Sequence, residues 1–216
     1  MLESHDELIA EEIYRSNITD ITKHMIANGV QTACTTCRNI MLNPAAIGIP
    51  RSKLFDTACR FSFILNSILT KSIDENNFSQ LTYDEVRTGH GRPIIHYMSG
   101  NVIFHLKKET SVHRLPQGAR YRIEETKENE QILLFPESVE APPAHMVVTF
   151  NHREFQPIFI QIGMIDPNYE RWLIRDNLMS YIQSEAVETM QKTYGATLEQ
   201  QAIERVQKNF RLEMKG

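Results

Sequence analysis

Residues 94–106 constrain this chain more than any other stretch. Ile94-Ile95-His96-Tyr97-Met98, a Ser-Gly-Asn turn and Val102-Ile103-Phe104-His105-Leu106 form two extended segments joined by a tight loop, the signature of a β-hairpin. A two-residue loop, either Ser99-Gly100 or Gly100-Asn101, puts Ile95, Tyr97, Val102, Phe104 and Leu106 on one face. A three-residue loop scatters them over both faces, so one-sided burial selects the shorter loop. The opposite face then carries Ile94, His96, Met98, Ile103 and His105. With the Gly-Asn loop, His96 lies directly across from His105; with the Ser-Gly loop the two are diagonal neighbours.

Two more turn-linked pairs extend the pattern. In Arg120–Glu125 and Gln131–Phe135, Tyr121 and Ile123 alternate with Arg120, Arg122 and Glu124, as on a sheet with one wet face. Met146–Phe150 and Ile158–Ile162 form the third pair, with Pro157 restricted to a strand start or an edge.

Helices are expected on both sides of these hairpins. Residues 4–28 read as helix, broken near Ser16-Asn17, with Asn28-Gly29 as the stop signal. Residues 30–51 read as irregular, broken by Asn43-Pro44, Gly48 and Pro50. A second helix is expected after the cap Ser52, with Leu54, Ala58, Phe61, Leu65 and Ile68 as its stripe. Residues 71–91 read as a polar connection. Asp166-Pro167 starts a further helix, with Ile174, Leu178, Ile182, Ala186 and Met190 along its apolar side. The Thr197-x-x-Gln200 capping box opens a last one, carrying Leu198, Ala202, Val206, Phe210 and Met214.

The expected fold is α+β: an antiparallel sheet of about six strands, in three consecutive hairpins, between N-terminal and C-terminal helices. One domain over residues 1–216 is expected, with a helical part at 1–70, the sheet at 92–162 and C-terminal helices at 167–214. The 216 residues are 41% hydrophobic and 23% charged, ordinary proportions for a globular chain. Three cysteines are an odd count, which suits a reducing compartment better than a disulfide framework. The acidic start has no apolar run resembling a signal peptide. A cytoplasmic location is the expectation, without membrane association.

Six of the eight histidines fall at 90–152, and His96 and His105 share a face of the first hairpin. Neutral imidazoles there suit general acid–base work, metal ligation or a pH-sensitive pair, although polar residues on a solvated sheet face would look the same. Cys34-Thr35-Thr36-Cys37 has the spacing of a thiolate pair on zinc, with Cys59 and His24 (or His5) available to complete four ligands. Two ordinary loop cysteines would read identically. Glu125-Thr126-Lys127 is an E-x-K at a strand end, the pattern with which some nucleases hold a metal and stabilise developing charge; a polar turn explains it as well. No cofactor is demanded by these residues, zinc or magnesium being the ions such ligand sets would take.

The whole chain carries a net charge of -4, yet residues 87–127 hold eight cations against three acids. Arg92, Lys107, Lys108, Arg120 and Arg122 could line a surface for nucleic acid, or simply form a solvated face. Gly89-His90-Gly91-Arg92 offers amides and a guanidinium to a phosphate, but a strand follows it, not the helix such loops usually open. There is no Gly-x-Ser-x-Gly elbow, Walker loop or dinucleotide fingerprint.

Two segments, Leu54-Phe55-Asp56 through Leu69 and Gly91-Arg92-Pro93 through Lys108, resemble a family of uncharacterised bacterial and prophage proteins. Its pattern is a helix with an Asp and a later Asn, matched here by Asp56 and Asn66, before a strand–turn–strand. The resemblance implies a bacterial or phage origin and no particular activity.

The resulting expectation is a non-catalytic binding or regulatory protein acting through a protein partner or self-association, with the last amphipathic helix as its docking surface. The alternatives are a metal-dependent nuclease or other hydrolase built on Glu125 and Lys127 or on His96 and His105, and a nucleic-acid-binding protein using residues 87–127.

Overall fold

The computed structural model describes residues 4–42, 61–76, 80–87, 93–134 and 142–182. Helices α1 (His5–Asn17), α2 (Asp20–Leu42) and α3 (Phe61–Asn76) come first. Strands β1 (Leu81–Arg87), β2 (Pro93–Ser99) and β3 (Val102–Lys108) follow. Helix α4 (Arg120–Leu134) then precedes β4 (Ala144–Arg153), β5 (Gln156–Ile165) and β6 (Trp172–Asn177), and a 3-10 turn at Leu178–Tyr181 ends the described chain. Among the described residues, no helix is long and apolar enough to cross a membrane.

The class is α+β, as expected, but the sheet is mixed. Its six strands lie in the order β1-β2-β3-β4-β5-β6, and β3 pairs β4 in parallel. A parallel pair needs a crossover of a dozen or more residues, and residues 109–143 supply it. The expected hairpin at 120–135 is therefore replaced by α4. Its five-residue alternation was too short to separate strand from helix, while Arg120 and Glu124 form an i,i+4 pair at 2.9 Å that only a helix brings together.

The outer two hairpins hold. Tyr97 pairs Phe104 and Ser99 pairs Val102, so the loop is Gly100-Asn101. Gly100 takes a φ of 57° there, and Asn17 Oδ1 accepts the Asn101 N–H at 2.7 Å, tying the turn to the end of α1. Met146 pairs Met164 and Val148 pairs Ile162 in the β4–β5 hairpin.

Other boundaries differ from expectation. The break at Ser16-Asn17 is real, and a Ser4/Glu7 capping box starts α1. Asn28-Gly29 does not stop α2, which runs on to Leu42. Gly29 is held in mid-helix by close packing: a Cβ there would lie 2.5 Å from Leu69 Cδ2 of α3. Residues 81–87, expected in a polar connection, form β1, and 172–177, expected in a helix, form β6. Residues 52–60, with Asp56 and Cys59, Gly89–Arg92 and the helical stretches expected beyond residue 182 lie outside the described residues.

Alternation along the strands divides the sheet into two faces. Tyr97, Phe104, Met146, Val148, Phe150, Ile160, Ile162 and Met164 are buried on one, in the main core with Ile26, Val30, Leu65 and Ile68 of α2 and α3. Tyr97 and Phe104 stack with ring centroids 5.5 Å apart. His105, Val147, Thr149, Gln161 and Gly163 alternate to the other face. There α4 and the segment before it form the cover: Val112 carbonyl accepts from Gln161 Nε2 at 3.2 Å and Arg175 Nη1 at 2.7 Å. Both faces are thus packed, and the histidine face is not a wet surface.

Candidate functional site: a polar cluster under α4

The buried residues of α4 are Arg122, Thr126, Asn129, Ile132 and Leu133. Their spacing is helical, but the first three are polar, so the sheet-facing stripe of this helix meets the sheet through hydrogen bonds and charges. Asn129 is fully buried. Its Oδ1 accepts the His145 N–H at 2.8 Å, and its Nδ2 donates to the His145 carbonyl at 3.0 Å.

One turn earlier, Glu125 receives two histidines from adjacent strands. His96 Nε2 lies 3.1 Å from Oε1, and His105 Nδ1 lies 3.7 Å from Oε2. The loop register explains this meeting, since pairing Tyr97 with Phe104 sets His96 and His105 side by side on the α4 face. The His96 approach is out of line for a hydrogen bond, and 3.7 Å is too long for one. His105 is 8% exposed. Burial first, and then the positive charge of Arg122, hold its imidazole down to about 3. Proximity to a carboxylate alone would favour the charged ring, but desolvation at this depth outweighs a contact of that length, so His105 is neutral.

Arg122 completes the inner wall. Its Nη1 donates to Tyr121 Oη at 2.8 Å and its Nη2 to the Gln117 carbonyl, while its Nε has no protein partner. Tyr121 also packs on His105, with ring centroids 5.7 Å apart. His145 joins from β4, its Nε2 2.9 Å from Glu128 Oε2. His105, Arg122, Glu125, Thr126, His145 and Tyr169 line a common cavity of about 10 Å3. That is room for about one water molecule and for no organic substrate.

The structure therefore joins His96, His105, Glu125 and Arg122, which the sequence places in three separate candidate sites. Lys127 is not with them. On a helix, residues i and i+2 do not share a face, so Glu125 turns toward the sheet while Lys127 is exposed. The E-x-K reading fails because it required a strand.

The basic residues do not converge either. Arg120 pairs Glu124 on the exposed side of α4, Lys107 lies 4.0 Å from Glu109, and Lys108 Nζ is 3.0 Å from His152 Nε2. Lys107 and Lys108 are consecutive on β3 and point to opposite faces. Arg92 lies outside the described residues.

Cys34 and Cys37 sit inside α2, not in a loop, and both are buried. Apolar burial pushes the Cys34 thiol up to about 12. His24 is ten residues earlier on the same helix, with Nδ1 2.8 Å from the Tyr181 carbonyl, while Cys59 is outside the described residues. Among the described residues, no three His, Cys, Asp or Glu side chains form a group able to hold a metal ion. Asn66, singled out by the family resemblance, accepts the Tyr97 phenol at 2.8 Å.

Asn129, His145 and Tyr169 are members of the cluster that sequence reasoning missed. An Asn at i+7 from Arg122 becomes a signal only once α4 is known to be helical. Compared with protein-family models, curated proteins and solved structures, the chain matches none of them.

Proposed function

We propose that this is a non-catalytic binding protein whose β1 edge accepts an extended, basic segment of a protein partner. One observation carries the reading: β1 ends an open six-stranded sheet and has a strand neighbour on one side only among the described residues. Such an edge presents unpaired N–H and C=O groups that a partner strand can complete. β6, the other end strand, is packed by α1, whose Tyr14 donates its phenol to Asp176.

Charge supports a basic partner. Asp84 and Glu85 are exposed on β1, and Tyr83 Oη donates to Asp74 at the end of α3 at 3.0–3.1 Å, which keeps a third carboxylate beside the strand. Like charges across a shared edge repel, so two copies of β1 are poor partners for each other. The test is photocrosslinking in cells from Thr82 and Glu85, with exposed Lys127 on α4 as the control position. Adducts from β1 to a small set of proteins, absent from the control and lost in Val86→Pro, are expected. Equal adducts from both elements, or none from β1, would remove the reading.

The meeting of His96 and His105 at Glu125 favours a second reading, acid–base chemistry of a hydrolase. It requires α4 to move, since the cavity admits no substrate as it stands. Unchanged hydrolysis of a phosphodiester panel after Glu125→Ala and His105→Ala would eliminate it.

A further inference from the structure

Each residue of a β-strand turns its N–H and C=O to one side, and the next residue turns them to the other. That alternation can be followed from β4 to the β1 edge. The Asn101 carbonyl accepts the Ala144 N–H, and the Glu109 N–H donates to the Phe150 carbonyl, so the odd-numbered residues from 101 to 109 turn toward β4. Val102 therefore turns toward β2, where it pairs Ser99 across the Gly100-Asn101 loop. The β1–β2 register is unbroken, so Thr82, Asp84 and Val86 turn toward β2 and Tyr83, Glu85 and Arg87 turn outward. Among the described residues, the main-chain groups open to an added strand at the middle of β1 are thus those of Tyr83 and Glu85.

Side chains add the chemistry. Paired residues share a face, which places Tyr83 and Glu85 with Tyr97 on the main-core face and Asp84 and Val86 with His96 on the α4 face. Tyr83 and Val86 are half-buried, while Asp84 and Glu85 between them are exposed. One carboxylate of this adjacent pair therefore lies on each face of the sheet. Tyr83 packs against the main core, and its phenol donates to Asp74 at 3.0–3.1 Å, which brings a further carboxylate to the Glu85 face. A strand laid on β1 sets one side chain across from each of these four residues, where opposite charges attract and apolar groups pack. Cations are favoured at the two middle positions and apolar side chains at the two outer ones. The order apolar–basic–basic–apolar reads the same in both chain directions.

We infer that the segment received by β1 carries two adjacent basic residues between apolar ones, its lysines or arginines set across from Asp84 and Glu85 on opposite faces of the sheet. Its main chain bonds to the outward groups of Tyr83 and Glu85. This specificity rests on β1 being the docking edge.

The experiment titrates the full chain into two fluorescent hexapeptides of identical composition, Thr-Val-Lys-Lys-Val-Thr and Thr-Lys-Val-Val-Lys-Thr, read by anisotropy. Their net charges are equal, so unspecific attraction cancels. The first is expected to bind about tenfold tighter, and to slow exchange of the Tyr83 and Glu85 amide protons. The preference is expected to vanish in the double variant Asp84→Asn, Glu85→Gln. Equal binding of the two peptides, binding of neither, or a preference that survives the double variant overturns the inference. Crosslinks from Thr82 and Glu85 obtained alongside such a result leave β1 as a docking edge for another kind of segment; their absence removes both readings.

Discussion

Asn129 of α4 pairs with the backbone of His145 as a neighbouring strand would, accepting its N–H at 2.8 Å and donating to its carbonyl at 3.0 Å. One side chain therefore satisfies both main-chain groups at the start of β4, and its Nδ2 also reaches the Ile165 carbonyl at 3.4 Å. Replacing it with Leu keeps the volume but orphans these groups. Asn129→Leu is expected to destabilise the protein by about 2–4 kcal/mol, read by urea denaturation with an unchanged slope.

His105 makes stability fall in acid. Its ring is held down to about 3 from an ordinary 6.5, so below pH 6.5 the unfolded chain takes up a proton that the folded chain refuses. Stability is complete above pH 6.5 and drops as pH falls toward the folded value, by up to about 1.4 kcal/mol per pH unit. His152, held down to about 4 by partial burial and then by Lys108, acts in the same direction. Denaturation at pH 7.5, 6 and 5 is expected to show the decline. His105→Phe is expected to flatten it; an equal slope in that variant would refute the assignment.

Two glycines separate a tolerant contact from a rigid one. A Cβ on Gly163 would lie 2.4 Å from the Ile174 carbonyl oxygen and 2.8 Å from Trp172 Cε3, and backbone cannot step aside. At Gly29 the nearest atom is the tip of Leu69, 2.5 Å away, and a mid-helix alanine gains about 1 kcal/mol of helix propensity. Gly163→Ala is expected to cost about 2–3 kcal/mol, and Gly29→Ala clearly less. Thermal unfolding of the two variants ranks them.

The β4–β5 turn holds strain that can be relieved. Glu154 and Phe155 both have positive φ, 52° and 61°, as a two-residue I′ loop demands. Neither side chain favours that region. Glu154→Asn is expected to raise stability by about 0.5–1 kcal/mol, visible as a higher unfolding midpoint with unchanged fold. A lower midpoint would show that Glu154 contributes something besides backbone geometry.

Cys34 and Cys37 are buried in α2, and the Cys34 thiol is pushed up to about 12. In native protein both are expected to resist alkylation at pH 7.5 on a timescale at which the unfolded chain is labelled fully. Peptide mapping assigns the labelled sites, and rapid native labelling of Cys34 would show that α2 opens locally.

The sequence by itself determined the β2–β3 ribbon. The alternation of Tyr97, Val102 and Phe104 with His96, Ile103 and His105 sets both faces, and one-sided burial demands a two-residue loop; these signals act over a dozen neighbouring residues. It also supplied the β4–β5 hairpin and the break at Asn17, for the same local reason. Only the tertiary structure decided α4. Its buried stripe opens with Arg122, Thr126 and Asn129, whose burial is tolerable because Tyr121 and the Gln117 carbonyl accept from Arg122, the Arg122 carbonyl accepts from Thr126, and the His145 backbone pairs with Asn129. Hydrophobic periodicity cannot register a face that is held by hydrogen bonds, so the helix, the parallel β3–β4 pair it spans and the meeting of His96 and His105 at Glu125 were not legible. Those partners lie far apart in sequence, and only the folded sheet brings them to one carboxylate.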